Sequence, residues 1–374
     1  MIVKIEKMNY QQPKEEKVKE EQANKKAIKI QEDYLIYEIN EDDRTASIID
    51  NVHIIGNILI PESIKYQNQE YEVTSIIEYS FKYSDIKSIK FSENSALRII
   101  EKKAFYGSHL ENIFIPASVS ELREGWCAKT PNLINVTIDP NNQYFKNYEK
   151  NNKIIIGRSD TNQDEYDQLI FASRDLTSID IPPNIRTISS FAFSELSIKE
   201  IFIPSHVTDI RSNAFSFSQL QRLQIGPDSE LQTIGKKIFA FSRIESISIP
   251  SSLTVLEDGW CSQTPRLTEI QVTANEKQNI LYFEDKAILG KSDKNSDVFD
   301  VLLFVRRDID SFDIPKNIKS ISNYAFSDSL IKAIDIPSSV THIGSYAFAF
   351  CEQLESIEIP HQNNRKICIL FFVD

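Results

Sequence analysis

A long internal repeat constrains this chain more than any other feature. Gly125-Trp126-Cys127-x-x-Thr130-Pro131-x-Leu133 returns as Gly259-Trp260-Cys261-x-x-Thr264-Pro265-x-Leu267. Each copy follows an Ile-Pro pair at the same distance (Ile115-Pro116, Ile249-Pro250). Each precedes a second shared stretch, which begins at Ile181 and at Ile314. Inside this long repeat runs a shorter one, Leu/Ile-x-x-Ile-x-Ile, usually followed by Pro. Its copies begin at Ile86, Leu110, Leu133, Leu176, Ile198, Leu220, Ile244, Leu267, Ile309, Ile331 and Leu354. The period is about 23 residues, and the steps after Leu133 and Leu267 are close to two periods. Self-similarity at that period means stacked units rather than one globular core.

The unit has a readable physics. Alternating Ile-x-Ile points two branched side chains to one face of a strand and one residue to the other. Equivalent positions stack from turn to turn, and β-branched Ile packs well between two ladder neighbours. Pro has no N–H for the ladder, so Ile-Pro ends the strand and opens the corner. Ala-Phe pairs follow at a constant distance, as at Ala192-Phe193, Ala214-Phe215, Ala325-Phe326 and Ala347-Phe348. A small residue beside a large one predicts a tight return segment with Phe plugging the core. At Trp126-Cys127 and Trp260-Cys261 the order is large then small, which reads as a volume exchange within one slot.

The pattern Leu-x-x-Ile-x-Ile-Pro-x-x-Val-x-x-Ile-x-x-x-Ala-Phe, seen from Leu110, Ile198 and Ile331, resembles the BspA-type (Treponema pallidum-like) leucine-rich repeat family over residues 70–360. The Gly-Trp-Cys-x-x-Thr-Pro variant is similar to BspA-like surface antigens of trichomonads. The resemblance implies an α/β-type leucine-rich-repeat solenoid, right-handed and strand-rich, with a parallel stacked sheet in a single elongated domain. It also implies a protein-binding or adhesive module without catalytic residues, and its surface members point to the cell surface.

Charged residues make up 26% and hydrophobic ones 41%, the balance of a folded chain. The net charge of −12 argues against nucleic acid, which needs a basic face, and permits a basic partner. The nine glycines are too few for a Gly-rich calcium-binding β-helix. Four cysteines do not form a disulfide framework in a chain of this length. Cys127 and Cys261 occupy equivalent slots several turns apart, Cys351 reads as a core filler, and Cys368 sits in the tail. Residues 1–30 are interrupted by charge and do not read as a secretion signal. No stretch reaches the ~20 apolar residues a membrane helix needs, so no membrane insertion is expected. Taken at face value the product is cytoplasmic, against the surface location that the resemblance implies.

Residues 1–32, rich in Lys, Glu and Gln, read as a mobile arm, and 33–70 as a strand-rich N-terminal cap over the first sheet edge. The solenoid spans 71–360. Residues 141–172 and 274–305 interrupt it with polar stretches, each holding two strand-like pieces that read as a hairpin. Residues 361–374 form an atypical tail, where the expected Ala-Phe half-turn is missing. A makeshift cap, an association edge and a truncated chain all account for that ending.

The candidate binding face is the row of middle residues in each Ile-x-Ile: Lys90, Phe114, Thr137, Asp180, Phe202, Gln224, Ser248, Gln271, Asp313, Asp335 and Glu358. Phe114 and Phe202 stand where polar residues are expected and suit a protein anchor, host or matrix protein included. Asp313, Asp335 and Glu358 make the C-terminal end acidic. The plainer reading of the two Phe is packing under neighbouring loops. Asp160, Asn162, Asp164 and Asp293, Asn295, Asp297 mimic the start of a calcium loop. Glu165 or Val298 replaces its Gly, however, and Phe171 or Phe304 its closing Glu, so these are turn residues and no cofactor or metal is expected. The five histidines keep no repeat position, and no hydrolase, nucleotide or metalloprotease motif occurs. The chain therefore does not read as an enzyme. A cytosolic scaffold is the alternative reading, and a calcium-dependent or glycan-binding module a weaker one.

Overall fold

The computed structural model describes residues 2–4, 27–160, 162–226, 228–273 and 279–359. The chain divides into two compact units, residues 15–197 and residues 198–374 with 1–14. Each is a stack of coils, and most coils have a face strand, a short back strand and a turn side.

In the N-terminal unit the face sheet is Ile55–Ile60, Asp85–Phe91, Asn112–Ile115 and Asn135–Ile138, with parallel neighbours. Ile58, Ile89, Ile113 and Val136 lie in register, so the aliphatic row becomes a continuous ladder. The back sheet uses two-residue strands, Ile99–Ile100 and Glu121–Leu122, stacked in parallel on Gln69–Ile76. It continues through Thr45–Asn51 into the antiparallel strands Leu35–Asn40 and Ile28–Glu32. This meander starts upstream of residue 33 and extends the back sheet. The outer edge of Ile55–Ile60 carries no strand partner among the described residues.

The C-terminal unit repeats the plan. Its face strands Glu200–Ile203, Arg222–Ile225, Ser246–Ile249 and Glu269–Val272 are parallel neighbours. Ala333–Asp335 and Ser356–Glu358 form a further parallel pair, with Ile2–Lys4 antiparallel to the latter. Asp209–Ile210, Thr233–Ile234 and Val255–Leu256 line the back.

The turn side is a pentapeptide with left-handed residues at both ends, such as Asn213-Ala214-Phe215-Ser216-Phe217, where φ is 59° at each end. It too is hydrogen-bonded coil to coil: Phe215 N–H donates to Ile238 O at 2.8 Å and Phe217 N–H to Ala240 O at 2.8 Å. The central Phe side chains stack inside, with Phe81 on Phe105 at 5.2 Å, Phe215 on Phe239 at 5.8 Å and Phe326 on Phe348 at 4.9 Å. All six are buried.

Two stretches that the sequence marks as polar interruptions each hold three strands among the described residues. Phe145–Tyr148, Asn151–Gly157 and Gln168–Ala172 are antiparallel, as are Ile280–Phe283, Ala287–Gly290 and Val301–Val305. The last strand of each then pairs in parallel with the back strand of the next coil, Thr187–Ile188 and Ser320–Ile321.

One detail, the ladder at Asp180 and Asp313, differs from the sequence reading. No helix occurs among the described residues, so none is long and apolar enough to cross a membrane; β-barrel crossing is a separate question. The return segment is too short for an α-helical turn with its caps, and the coil-to-coil bonds of the pentapeptide satisfy its backbone instead. The stretches around Asp180 and Asp313 form no ladder strand. Leu176, Ile181, Phe312 and Ile314 still turn inward, because alternation reports burial. Pairing also needs a neighbour in register, and the hairpin coil before each stretch supplies none.

Candidate binding face

The alternation along the face strands sends one row of side chains outward. In the N-terminal unit this row is Leu59, Lys90, Phe114 and Thr137, aligned by the register of the four strands. Leu59 is exposed and Phe114 half-buried. In the C-terminal unit the row is Phe202, Gln224, Ser248 and Gln271. Phe202 is 57% exposed. Beside it Arg222, Gln224, Ser246, Ser248, Glu269 and Gln271 line a shallow polar groove of about 240 Å³. Asp335 and Glu358 sit opposite each other on their strand pair, both exposed. Asp180 and Asp313 are exposed but lie off the ladders, so the face row is interrupted at both points.

The hairpin tips resolve into turn chemistry. The Asp160 carboxylate accepts the Asn162 N–H at 2.9 Å, and Asp293 accepts the Asn295 N–H at 2.9 Å. Asp164 faces Arg158 at 3.7 Å, and Asp297 is exposed. What closes each hairpin is a residue beyond the Asp-rich run. Asp300 accepts the Ser292 N–H at 2.8 Å and the Ser292 hydroxyl at 2.7 Å, with the Lys319 ammonium at 3.1 Å. Asp167 holds Ser159 in the same way. No group of three His, Cys, Asp or Glu suited to a metal exists among the described residues. His109 pairs with Asp85 at 3.1 Å, and His361 lies outside the described residues.

The Gly-Trp-Cys motif encloses a buried arginine that the sequence reading did not single out. Trp126 stands in the Ala slot of the pentapeptide, and its ring fills the Phe column between Phe105 and Phe171. Cys127 then leaves room where Phe would be, and the Arg174 guanidinium enters it, 4.6 Å from the Phe171 ring centre. It donates to Ala172 O at 3.3 Å and Ala192 O at 3.2 Å. Arg307, 1% exposed, repeats this against Phe304 at 4.5 Å. It donates to Val305 O at 3.3 Å, Ala325 O at 3.1 Å and Cys261 O at 3.2 Å. The signal in the sequence was Arg-Asp after each hairpin, Arg174-Asp175 and Arg307-Asp308, with each Arg 48 and 47 residues after Trp126 and Trp260.

Burial pushes the Cys127 thiol up to about 11 and the Cys261 thiol up to about 12, against the pull of the neighbouring guanidinium. Neither is a nucleophile at neutral pH. Cys351 is buried and raised as well, chiefly by desolvation, and Cys368 lies outside the described residues. Cys127, Cys261 and Cys351 are packed in the interior of the coils.

A family model for a BspA type leucine rich repeat region, in six copies, matches residues 48–156, 165–287 and 302–372. Among solved structures, the chain is similar to the pneumococcal vaccine antigen PcpA, at 18% identity over 89% of this chain and 70% of that one, with a TM-score of 0.44. A leucine rich cell surface protein from Faecalibacterium prausnitzii matches at 18% identity over 89% and 76%, with a TM-score of 0.40. The T. pallidum leucine rich repeat protein matches at 11% over 87% and 91%, with a TM-score of 0.25. No curated protein matches the chain. Stacked parallel strands, the Phe column and a family match over most of the sequence agree: the chain belongs to the BspA-type leucine-rich repeat family, a class of repeat module generally involved in protein interaction and typically non-catalytic.

Proposed function

We propose that this protein is a non-catalytic recognition or adhesion module that binds a partner protein through its face sheets. The observation that carries the reading is Phe202. It projects from a strand of the C-terminal unit at 57% exposure, beside a groove lined by Gln, Ser and one charge of each sign. An exposed aromatic next to hydrogen-bonding side chains is the composition of an interface centre and its rim. Leu59 and Phe114 give the N-terminal unit a similar apolar element on its own face. Asp335 and Glu358, paired on adjacent strands, with the exposed Asp313 one repeat upstream, are the acidic groups that engage a basic partner surface.

A photoreactive side chain placed at position 202 of the full-length protein identifies the partner, and titration calorimetry with that purified partner measures affinity. The double variant Phe114→Ser, Phe202→Ser is expected to bind at least ~10-fold more weakly, an anchor loss of about 1.4 kcal/mol or more, with an unchanged melting temperature. Equal affinity of variant and wild type would remove the face sheets from the reading.

A further inference from the structure

Exposed aromatic rings also occupy the turn side of the coils. In the N-terminal unit two successive pentapeptides carry three tyrosines, Tyr79 and Tyr83 on one coil and Tyr106 on the next. Tyr106 meets Tyr79 edge-on at 5.9 Å and Tyr83 at 5.6 Å. Lysine ammoniums lie among them. Lys82 Nζ is 4.9, 5.1 and 5.8 Å from the three ring centres. Lys103 Nζ lies 5.4 Å from the Tyr79 ring and donates to the Tyr79 hydroxyl at 3.0 Å. Lys129, on a third coil, lies 5.3 Å from Tyr106. All are within the range where a ring quadrupole attracts a cation.

The platform is held in place. Tyr83 is 61% exposed, yet its ring rests on the backbone of Gly107, where φ is 68° and a Cβ would come within 2.4 Å of two ring carbons. Of the nearby carboxylates, Glu101 takes Arg123 at 2.6 Å and Glu124 accepts the Ser190 hydroxyl at 2.8 Å, while Glu195 lies in the field of Lys129. On a chain of net charge −12, this patch gathers three ammoniums and three π faces.

We infer that the tyrosine–lysine patch binds an acidic polysaccharide, a glycan carrying sulfate or carboxylate groups. The apolar face of a pyranose ring stacks on tyrosine, and the compact ammonium of lysine pairs with an anionic substituent without demanding the planar fork of an arginine site. The patch is open and runs over three coils at ~4.8 Å per coil, which suits a ligand that repeats along its length. An extended acidic peptide has no ladder to join here. The N–H groups of Phe81, Tyr83, Phe105 and Gly107 already donate to Ala104, Tyr106, Trp126 and Ala128 of the next coil. A ring held in place by packing, as Tyr83 is on Gly107, loses little freedom on binding.

The test uses the full-length protein against an immobilised sulfated glycosaminoglycan oligosaccharide, its desulfated N-acetylated counterpart, poly-glutamate and single-stranded DNA. The sulfated chain is expected to bind at least ~10-fold better than the other three, with affinity falling as salt screens the ammoniums. Lys82→Gln and Tyr83→Ser are expected to weaken that binding about tenfold each. Phe202→Ser leaves it unchanged, which separates this site from the face sheets. Both test side chains are solvent-facing, and thermal melts confirm that the variants fold. Binding by both variants at wild-type strength overturns the assignment. So does equal binding of poly-glutamate, which marks an acidic-peptide site, or of single-stranded DNA.

Discussion

Arg307 and Arg174 are the residues with the most at stake for stability. Each carries a charge into the core beside an undersized Cys, and each is held by three or more carbonyl or sulfur acceptors. Their carboxylate neighbours respond to the same surroundings. Burial raises Glu195 and Asp328, and the adjacent guanidinium only partly offsets it. Asp300 goes the other way. Burial alone would raise it, but the Ser292 hydroxyl and N–H, with the Lys319 ammonium, hold it below the ordinary carboxylate range. A carboxyl lowered in the folded state contributes stability above its unfolded value, near 4, and loses it as pH falls through the folded value. Asp300→Asn is therefore expected to destabilise the protein by about 1.5–3 kcal/mol at pH 7, the range for hydrogen bonds to a charged group. The difference should shrink near pH 3. Urea unfolding of both proteins at the two pH values checks this, and an equal gap at both would contradict it. Lys319 is itself mostly exposed, so most of the effect rests on the two Ser292 bonds.

At the scale of the element, the pentapeptide explains features that looked unrelated in the sequence. Thr130 and Thr264 donate to the carbonyls of Cys127 and Cys261 at 2.6 Å, capping the turn from inside. Ser84 and Ser218 do the same for Phe81 and Phe215 at 2.9 and 2.7 Å. Gly125 and Gly259 stand at the left-handed first position, with φ of 61° and 74°. Their surroundings differ: an added Cβ would lie 2.6 Å from the Phe191 ring at Gly125, but 3.3 Å from Tyr324 at Gly259. Each Gly→Ala change carries the left-handed penalty of about 1–2 kcal/mol. Gly125→Ala is expected to lower the melting temperature further, because the Phe191 ring must move. Equal shifts for the two variants in differential scanning calorimetry would show that the ring yields freely. The strands themselves were legible, since Ile-x-Ile and Ile-Pro state burial period and ladder end directly. The third hairpin strands, Phe145–Tyr148 and Ile280–Phe283, were not, because each is four residues long, set in a polar run and without the Ile-x-Ile alternation that marks the ladder strands.

Across the whole molecule, stability is distributed in neighbour-to-neighbour contacts rather than gathered at one centre. One apolar cluster runs from Leu35 to Phe171 and another from Ala287 to Ile357. Phe326, fully buried between Phe312 and Phe348, belongs to the second. Phe326→Ala is expected to remove about 3–5 kcal/mol from its own cluster. Hydrogen exchange should then accelerate over the strands Ser320–Ile321, Ala333–Asp335 and His342–Ile343 while Asn112–Ile115 keeps its protection. Uniform acceleration would mean a single cooperative unit. What the residue order determined by itself was the repeat: its period, its inward ladder and its proline corners, because each is a local rule met within one coil. Tertiary structure alone decided which outward residues form ladders and which, like Asp180 and Asp313, do not. It also decided that arginine fills the space beside Cys127 and Cys261, and that Tyr79, Tyr83 and Tyr106 converge around Lys82. Those outcomes depend on distances between coils, and such distances exist only once the chain has stacked.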